Sequence, residues 1–274
     1  MGGRVFKTLP LETFRGCPFQ CAFCNSPMQV RFAKSNKLGN FLRTKNVEKI
    51  RSNILTIIEK HQPQYFYILD DSFLSRPKRE LDDFIEMYAE FKIPFWFNTR
   101  PESVNADYLN QFIEIGLDRM SVGLEHGNYT FRKNVLKRNP SNDTLLEHLD
   151  IIANSGVSFS INNIIGFPTE TRENIFETIE FNRLIHGFDA LTISIFTPYH
   201  GTTLRELAIK KGYLDSNTLT THTTSSSLLK MPHLTSKQID GIFRTFLMYV
   251  RFEKEFWPEI EKAEAFTPDG NKIW

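Results

Sequence analysis

The amino-acid sequence predicts an α/β fold in which a parallel sheet is covered by helices. Along the first two hundred positions, short apolar runs alternate with longer amphipathic segments. Strands that each lead into a helix form parallel sheets, because the connection has to return to the edge where the next strand begins. Six such strands fit either an open doubly wound sheet or a partly closed (β/α) barrel. Both folds place their functional sites at the carboxyl ends of the strands.

The individual strands and helices follow from the hydrophobic periodicity. The predicted strands are Leu11–Phe14, Tyr65–Leu69, Pro94–Asn98, Arg119–Leu124, Ser158–Ile165 and Ala190–Phe196. The helices predicted between them are Val47–Lys60, Lys78–Phe91, Asn105–Ile115, Asp143–Asn154 and Thr171–Ile185. Gly116 and Gly156 each follow a helix and precede a strand, which is the usual position of a helix C-terminal cap.

Beyond Phe196 the alternation stops. The chain is therefore expected to divide into a core of residues 1–200 and a C-terminal extension of residues 201–274. Within the extension, Thr218–Leu234 is polar and predicted to be irregular. Ser236–Phe256 has apolar side chains at helical spacing and is predicted to form an amphipathic helix. This helix either packs over the barrel or forms a partner interface, and we favour packing.

Composition and charge exclude several classes of protein. The chain has 274 residues, of which 41% are hydrophobic and 24% charged, a balance typical of globular proteins. Its net charge of +1 gives no general reason to expect nucleic acid or an anionic membrane as a partner. No apolar run approaches the ~20 residues of a membrane span, and the N-terminus lacks the apolar stretch of a signal peptide. We therefore expect a cytoplasmic protein with reduced thiols.

All three cysteines of the chain, Cys17, Cys21 and Cys24, fall within one short segment, RGCPFQCAFCNSP. Their odd number and close spacing argue against disulfides. A structural zinc site normally has four Cys or His ligands, and no nearby histidine completes one. Three thiolates can instead hold three irons of a [4Fe–4S] cluster and leave the fourth iron open. We favour such a cluster over zinc and over incidental cysteines, and a Cys–His nucleophile would not explain three thiols.

The stretch Asn25–Asn46 is basic and contains no acidic residue. Its charged residues are Arg31, Lys34, Lys37, Arg43 and Lys45. The simplest interpretation is a solvated loop, and the functional alternative is an electrostatic attractor for an anionic substrate or carrier. The stretch lacks the interleaved aromatic residues of a nucleic-acid platform, so nucleic acid is not an expected partner.

The C-x3-C-x2-C spacing after the first strand, with Phe23 before the last cysteine, resembles the radical S-adenosylmethionine (radical SAM) superfamily. The resemblance extends over about Leu11 to His200. It implies a partial (β/α)6 barrel, followed here by a C-terminal helical extension. It also implies that Cys17, Cys21 and Cys24 bind a [4Fe–4S] cluster whose fourth iron is chelated by the amino and carboxylate groups of SAM.

The resemblance assigns roles to residues at the ends of the first three strands. Phe23 corresponds to the aromatic residue whose backbone lies near the adenine. In YILDDSF, Asp70 and Asp71 stand at the place of the family's G-G-E segment, which binds the SAM ammonium group. An alternative role for Asp71 is capping of the following turn. In FNTRPE, Asn98 and Arg100 are expected to point into the barrel mouth, where an arginine can pair with a carboxylate.

The later strands supply the remaining candidates. Glu125 in SVGLEHG is similar to the family residue that hydrogen-bonds the ribose or methionine part of SAM, whereas the neighbouring His126 is expected at the surface. Lys137 and Arg138 stand where relatives place a basic residue for the SAM carboxylate, and Arg138 is preferred. Glu125 and Arg100 are the residues that we expect to take part in catalysis.

Two further segments resemble the adenine-binding parts of the family. In INNIIGFPTET, Gly166 would let the backbone approach the adenine closely because it has no Cβ, and Asn162 would face inward on the same strand. In FTPYHGT, Thr197 to Tyr199 would form the last adenine contact.

Taken together, these segments resemble the B12-binding-type radical SAM proteins, many of which carry a cobalamin domain with a D-x-H-x-x-G motif. This sequence contains no such motif. Cobalamin use is therefore expected only with another domain.

The expected function is reductive cleavage of SAM to a 5′-deoxyadenosyl radical that acts on an unknown small-molecule or carrier-bound substrate. An electron donor such as flavodoxin or ferredoxin is the implied partner. Two alternatives stay open: cobalamin-assisted methyl or methylthio transfer, and a metal-binding module without catalytic activity.

Overall fold

The structure, a computed structural model, describes residues 4–274. Its strands are β1 (Thr8–Leu11), β2 (Phe14–Arg15), β3 (Arg43–Thr44), β4 (Tyr65–Ile68), β5 (Phe95–Thr99), β6 (Leu117–Glu125), β7 (Ser158–Ile165) and β8 (Ala190–Ile195). Its helices are α1 (Ser26–Ser35), α2 (Val47–His61), α3 (Lys78–Tyr88), α4 (Ala106–Glu114), α5 (Tyr129–Asn134), α6 (Asn142–Ser155), α7 (Arg172–Leu184), α8 (Thr203–Lys210), α9 (Ser236–Arg251), α10 (Trp257–Ala263) and α11 (Pro268–Ile273).

Six strands form one sheet in the order β1-β4-β5-β6-β7-β8, and every neighbouring pair is parallel. The order follows the chain without reversing, whereas a doubly wound sheet reverses at a switch point. Of the two folds left open by the sequence, the structure therefore has the partial (β/α)6 barrel. The short strands β2 and β3 form a separate antiparallel pair. None of the helices formed by residues 4–274 is long and apolar enough to cross a bilayer.

The six predicted strands are confirmed, with one displaced. The first was expected at Leu11–Phe14 but lies at Thr8–Leu11. The chain leaves the sheet after Leu11 because the Asp70 carboxylate accepts the backbone N–H groups of Thr13 and Phe14, at 2.9 and 3.0 Å. These two donors are then no longer available to a sheet ladder.

Capping side chains explain where most of the helices begin. The Asn46, Asn105 and Ser141 side chains each accept a backbone N–H in the first turn of α2, α4 and α6 respectively. Such caps satisfy donors that have no partner inside the helix. Gly156 ends α6 in the left-handed conformation with φ +79°, as its position after the apolar pattern predicts.

Aromatic packing under β4 and β5 fixes the strand ends that carry several candidate residues. The Phe73 and Phe97 rings are stacked with centroids 4.5 Å apart, and the edges of Phe84 and Phe112 pack against Phe73. All four side chains are buried. Burial of each contributes on the order of 1.5–3 kcal/mol to the free energy of unfolding. The carboxyl ends of β4 and β5 are therefore set on a rigid support.

The basic stretch Asn25–Asn46 is not the loop that the sequence indicates. It contains the ten-residue helix α1 and the short strand β3. Pro27 occupies the first turn of α1, where its missing N–H costs nothing, and Ala33 is buried. The sequence pattern does not predict this helix, because few apolar residues mark its buried face.

The C-terminal extension packs against the barrel. Helix α9 ends at Arg251, five residues before the predicted end, and a short 3-10 turn and α10 follow. Ile239, Ile242 and Phe246 of α9 are fully buried, which confirms packing as the role of its apolar face. Before it, the irregular segment Thr218–Leu234 runs beside β8, where the Thr223 carbonyl accepts the Ile195 N–H at 2.7 Å.

Candidate active site

The three cysteines lie in the loop between β2 and α1, beside the carboxyl ends of the barrel strands. Backbone hydrogen bonds of 3.0 Å fix the middle of the loop: the Ala22 N–H donates to Leu136, and the Ala22 carbonyl accepts from Leu204. Ser26, at the start of α1, contacts both ends. Its Oγ accepts the Cys17 N–H at 3.0 Å, and its N–H points at Cys24 Sγ at 3.5 Å. Hydrogen bonds within the chain therefore fix the loop in its middle and at both ends.

Burial raises the pKa of all three thiols, that of Cys24 to about 11. The positive charges of Arg138 and Arg100 lower the pKa of Cys21 against this effect of burial, and Arg100 also lowers that of Cys17. Iron bound to a thiol removes its proton outright, so a cluster would supply the positive charge that these thiolates need. Within residues 4–274, no three of the Cys, His, Asp and Glu side chains form a site for a single metal ion.

The predicted site residue Asp70 has a different role in the structure. Its carboxylate is buried and accepts hydrogen bonds from the Thr13 hydroxyl and from two backbone N–H groups. It also pairs with the guanidinium of Arg76, which is buried as well. With these partners Asp70 has no capacity left for the SAM ammonium group. It fixes the chain between the first strand and the cysteine loop instead.

Asp71 is placed differently, because its side chain is exposed whereas that of Asp70 is buried. Its charge adds to the effect of burial in raising the pKa of the Cys17 and Cys24 thiols. The turn that follows has Ser72 as its N-cap residue, so Asp71 does not cap it. Of the two aspartates, the structure brings only Asp71 to the cysteines.

Four charged side chains meet beside the cysteine loop, and we call them the arginine–glutamate cluster. Its members are Arg100, Glu102, Glu125 and Arg138. Arg138 Nη1 lies 3.3 Å from Glu125 Oε1, and its Nη2 donates to the Gly123 carbonyl at 2.7 Å. Glu102 pairs with Arg100 and lies 3.7 Å from Arg138. The cluster has two positive and two negative groups, so it can receive a zwitterion without a net change of charge.

The strand end that carries Glu125 is strained. Glu125 has φ +72°, and the β6–β7 register shifts between Gly123 and Glu125. A non-glycine residue in this conformation costs on the order of 1–3 kcal/mol. A side chain at position 123 would collide with the Glu125 carboxylate. Burial raises the pKa of Glu125 even though Arg138 and Arg100 favour its charged form. These features are typical of a functional carboxylate.

Several polar atoms of the arginine–glutamate cluster have no hydrogen-bond partner. Both carboxylate oxygens of Glu102 and the Nε atoms of Arg100 and Arg138 are buried and unbonded, although Glu102 contacts Arg100 as an ion pair. Unpaired buried polar atoms are costly unless a ligand completes them. The ammonium and carboxylate groups of the methionine part of SAM have the required chemistry, so these residues fit that cofactor.

Arg100 also contacts the cysteine loop directly. Its guanidinium lies over the Phe19 ring, 3.6 Å from the centroid. The contact joins the end of β5 to the middle of the C-x3-C-x2-C segment. Neither Phe19 nor Glu102 was singled out from the sequence. Glu102 stands two positions after Arg100 in the quoted segment, which could have marked it.

A cavity of about 200 Å³ borders the cysteine loop and is lined in part by Cys24. It brings together three residues predicted to contact the adenine: Phe23, Thr197 and Tyr199. Thr223 of the C-terminal extension closes one side. The cavity is mainly apolar, as a site for a flat heteroaromatic ring should be. A larger cavity, of about 890 Å³, lies on the outer surface of α7 and contains none of the predicted site residues.

The two predicted asparagines lie on inward faces of their strands. Asn162 is half-buried and shares its face of β7 with Ile164, which lines the 200 Å³ cavity. Asn98 is also half-buried, and its side-chain amide donates to the Tyr67 hydroxyl at 2.8 Å. The position of Asn162 is thus compatible with the cavity, whereas Asn98 is already hydrogen-bonded within the sheet.

Gly166 is required for a different reason from the one expected. Its backbone has φ +83°, which favours glycine, and a Cβ would stand 3.3 Å from Ile239 of α9. The space above Gly166 is therefore filled by the C-terminal extension and not left open for an adenine. The Gly166 N–H donates to the Glu170 carboxylate, which also accepts from Phe167 at 3.0 Å.

The expectation that His126 is exposed is wrong. Its side chain is fully buried, with Nε2 at 3.0 Å from Glu170 Oε1. Nδ1 accepts the Asn128 N–H at 3.0 Å, which leaves the proton of the neutral ring on Nε2, facing the carboxylate. The contact ties the strand end after Glu125 to the turn at Gly166. Glu170 stands four positions after Gly166, but nothing in the sequence links it to His126.

We expect His126→Ala to lower the free energy of unfolding by about 1–3 kcal/mol, because it leaves Oε1 of the buried Glu170 carboxylate without the His126 contact, while Gly166 and Phe167 still donate to Oε2. Chemical denaturation of the cluster-free chain measures the loss. His186→Ala is the matched control, since that histidine is 67% exposed and its removal should cost less than ~0.5 kcal/mol. Equal losses in the two variants would contradict the buried contact.

Glu125→Gln should weaken SAM binding by about 1–3 kcal/mol, which is roughly five- to 150-fold in Kd, because a charged hydrogen-bond acceptor is lost. Equilibrium binding of SAM to the cluster-loaded chain measures it, with Glu114→Gln on α4 as a remote control. Unchanged affinity would return Glu125 to a purely structural role.

The same substitution has a predicted pH dependence in the ligand-free chain. Burial raises the pKa of Glu125 above its ordinary value of 4.5, so the folded state holds this proton more firmly than the unfolded state. The carboxyl group therefore favours folding at low pH and opposes it as the pH rises. The free energy of unfolding of Glu125→Gln minus that of the parent should therefore rise as the pH increases above 4.5. The difference should level off once the carboxyl group is ionised in the folded parent as well.

Comparisons with family models and with individual known proteins indicate the same family. The sequence model of the Radical SAM superfamily matches residues 11–181. An uncharacterised methyltransferase of Pyrococcus horikoshii is 28% identical over 236 residues, which cover 85% of this chain and 49% of that protein. The hopanoid C-3 methylase of Methylococcus capsulatus is 26% identical over 208 residues, covering 73% of this chain and 36% of that protein. This chain thus spans about half the length, or less, of these relatives.

The fold is similar to that of solved structures as well. The cobalamin-dependent S-adenosylmethionine radical enzyme OxsB, solved with aqua-cobalamin and S-adenosylmethionine bound, superposes with a TM-score of 0.61. The two sequences are 16% identical, and the match covers 97% of this chain and 44% of OxsB. At this identity the likeness shows a shared fold.

Proposed function

Because the chain belongs to the radical SAM superfamily, whose members use a [4Fe–4S] cluster and SAM, we propose that it cleaves SAM reductively at the mouth of its partial barrel. Cys17, Cys21 and Cys24 would hold the cluster. The main support for the proposal is that the cysteine loop lies beside the arginine–glutamate cluster at the carboxyl ends of the strands. The substrate would be a small or carrier-bound molecule.

Different residues of the site would bind different parts of SAM. Arg138 and Glu125 would receive the carboxylate and ammonium groups of its methionine part, since their charges are opposite and complementary to these groups. Phe23, Thr197 and Tyr199 would line the adenine position, because they share the 200 Å³ cavity beside Cys24. Asp71 would place a negative charge beside the cysteine loop, where its charge acts on the thiols of Cys17 and Cys24.

When bound, a reduced cluster held by Cys17, Cys21 and Cys24 would supply the one electron needed to break the C5′–S bond of SAM, with release of methionine, so that the 5′-deoxyadenosyl fragment could take a hydrogen atom from the substrate. The contribution of the chain is to orient the cofactor and exclude water. The segment Thr218–Leu234 supports the exclusion of water, because it lies along β8 and Thr223 lines the 200 Å³ cavity, which we call the adenine cavity. Arg100 would hold the cysteine loop in place through Phe19.

Cobalamin-assisted methyl transfer is the second candidate. The names of the Pyrococcus and Methylococcus relatives favour it, since both are called methyltransferases or methylases. Residues 4–274 form the barrel and its helical extension, and no separate cobalamin domain lies among them. We therefore propose that any cobalamin needed for methyl transfer is held outside these residues.

The test is to reconstitute the chain anaerobically with iron and sulfide and to identify the products of SAM under reducing conditions. We expect 5′-deoxyadenosine and methionine, with no tight binding of added hydroxocobalamin. Stoichiometric cobalamin binding by this chain, with S-adenosylhomocysteine as the product, would favour methyl transfer and would refute the placement of cobalamin outside these residues. Zinc in place of iron and sulfide, with SAM left intact, would contradict both and indicate a metal-binding module without catalytic activity.

A further inference from the structure

We propose that the exposed basic surface of α1 and β3 is the docking site for an acidic protein that carries a one-electron centre. We call this surface the α1 basic face, and its members are Arg31, Phe32, Lys34, Lys37, Leu38 and Arg43. The inference rests on the proposed function, because reductive cleavage of SAM requires one electron from outside for each event. The carrier is oxidised by one electron, and the cluster is reduced by one.

The α1 basic face is built directly onto the cysteine loop. Helix α1 begins two residues after Cys24, and Ser26 in its first turn contacts Cys17 and Cys24. At the other end of the segment, β3 pairs Arg43 with Arg15, which lies two residues before Cys17. The ten residues of α1 span about 15 Å. A protein resting on this face would therefore sit close to the thiols.

The charge of this face is concentrated and unpaired. The stretch Asn25–Asn46 contains five basic residues and no acidic residue, while the whole chain has a net charge of only +1. Among residues 4–274, no carboxylate forms an ion pair with Arg31, Lys34, Lys37 or Arg43. Lys45 is the exception, because it pairs with Glu12. The unpaired charges are available to steer an acidic partner.

Two large apolar side chains stand among these charges. Phe32 is 58% exposed and Leu38 is 65% exposed. Small transient interfaces combine a few apolar contacts with a charged rim, and electron-transfer complexes lie at the small end of the size range. Phe32 and Leu38 can supply the apolar contacts, and the surrounding Lys and Arg residues can supply the rim.

The position of the face favours a redox protein over an anionic substrate or a nucleic acid. A substrate has to reach the SAM carbon at the barrel mouth, which the arginine–glutamate cluster and the adenine cavity mark. An electron carrier has to reach only the cysteine loop, and the α1 basic face adjoins that loop at both of its ends. Phe41 and Leu42 of the same segment pack directly against Gly16, next to Cys17.

The experiment compares two reductants on the reconstituted full chain. One is a reduced flavodoxin of net negative charge, and the other is titanium(III) citrate, which needs no docking surface. The test variant is the double charge reversal Lys34→Glu with Lys37→Glu. The matched control is Lys60→Glu with Lys92→Glu, which makes the same change of charge at exposed positions preceding the amino ends of β4 and β5.

The test variant should cleave SAM about tenfold more slowly than the parent with flavodoxin and at the parent rate with titanium(III) citrate. The flavodoxin-driven rate of the parent should fall with added salt, and that of the test variant should depend less on salt. The control variant should match the parent with both reductants. An unchanged flavodoxin-driven rate, or equal losses with both reductants, would overturn the proposal.

A binding measurement separates this inference from the proposed function. Direct titration of the chain with flavodoxin requires no SAM cleavage, and the test variant should bind at least several-fold more weakly than the control. Failure of titanium(III) citrate to drive cleavage by the parent would count against the proposed function alone. If Lys34→Glu with Lys37→Glu abolished binding of a short RNA and left flavodoxin binding intact, the face would be a nucleic-acid surface and the inference would be wrong.

Discussion

Replacement of Cys17, Cys21 or Cys24 by alanine is expected to abolish SAM cleavage in each case. The three thiols lie in one loop that is fixed at both ends by Ser26 and in its middle by Ala22. Two thiolates cannot hold a four-iron cluster in the position set by this loop, so the three residues should behave as one unit. Iron and sulfide content and 5′-deoxyadenosine formation measure the loss.

Gln20→Ala is the control for the cysteine variants, because Gln20 lies in the same loop and its side chain is exposed. It should keep the cluster and the activity. The alanine variants should remain folded, since the core of the barrel is built from other residues. A single-alanine variant that still cleaves SAM would refute the assignment of these cysteines to the cluster.

The second large effect is expected at Asp70, as a loss of stability. Asp70→Ala should lower the free energy of unfolding by about 3–5 kcal/mol, because it leaves the buried Arg76 charge unpaired and removes the acceptor of the Thr13 and Phe14 N–H groups. Denaturant unfolding of the cluster-free chain measures this loss. Replacement of a residue that only bound the SAM ammonium group would not lower the free energy of unfolding in this way.

Asp71→Ala provides the matched comparison at the adjacent position. Asp71 is exposed and forms no ion pair within the described residues, so its loss should cost less than ~0.5 kcal/mol of stability. It should instead weaken SAM binding, because the charge of Asp71 acts on the cysteine loop. Similar stability losses in the two variants would contradict the separate roles that the structure gives to these neighbours.

The strands and most of the helices could be predicted because their signals are local. Periodic apolar residues, capping side chains and glycines at helix ends lie within a few positions of one another. The cysteines could be recognised for the same reason, and so could Glu125, which directly follows an apolar strand. Arg138 is predictable only through the family resemblance, because its contact with Glu125 bridges a separate helix and turn.

The features that the sequence could not show depend on contacts between distant segments. Asp70 and Asp71 are identical in type and adjacent, and only the position of Arg76 and of the Thr13 backbone distinguishes them. The burial of His126 depends on Glu170, which lies on another strand–helix connection. The packing of Ile239 over Gly166 joins the extension to the barrel across a long stretch of chain. None of these pairs leaves a periodic signal.

We propose above all that this chain holds a cluster with one iron free to bind SAM. Electron paramagnetic resonance of the reconstituted and reduced chain, recorded before and after addition of SAM, tests the claim most directly. We predict the signal of a reduced [4Fe–4S] cluster, close to one spin per chain, whose shape changes when SAM binds. A signal that SAM leaves unaltered, or a reduced chain that gives no cluster signal at all, would contradict the claim.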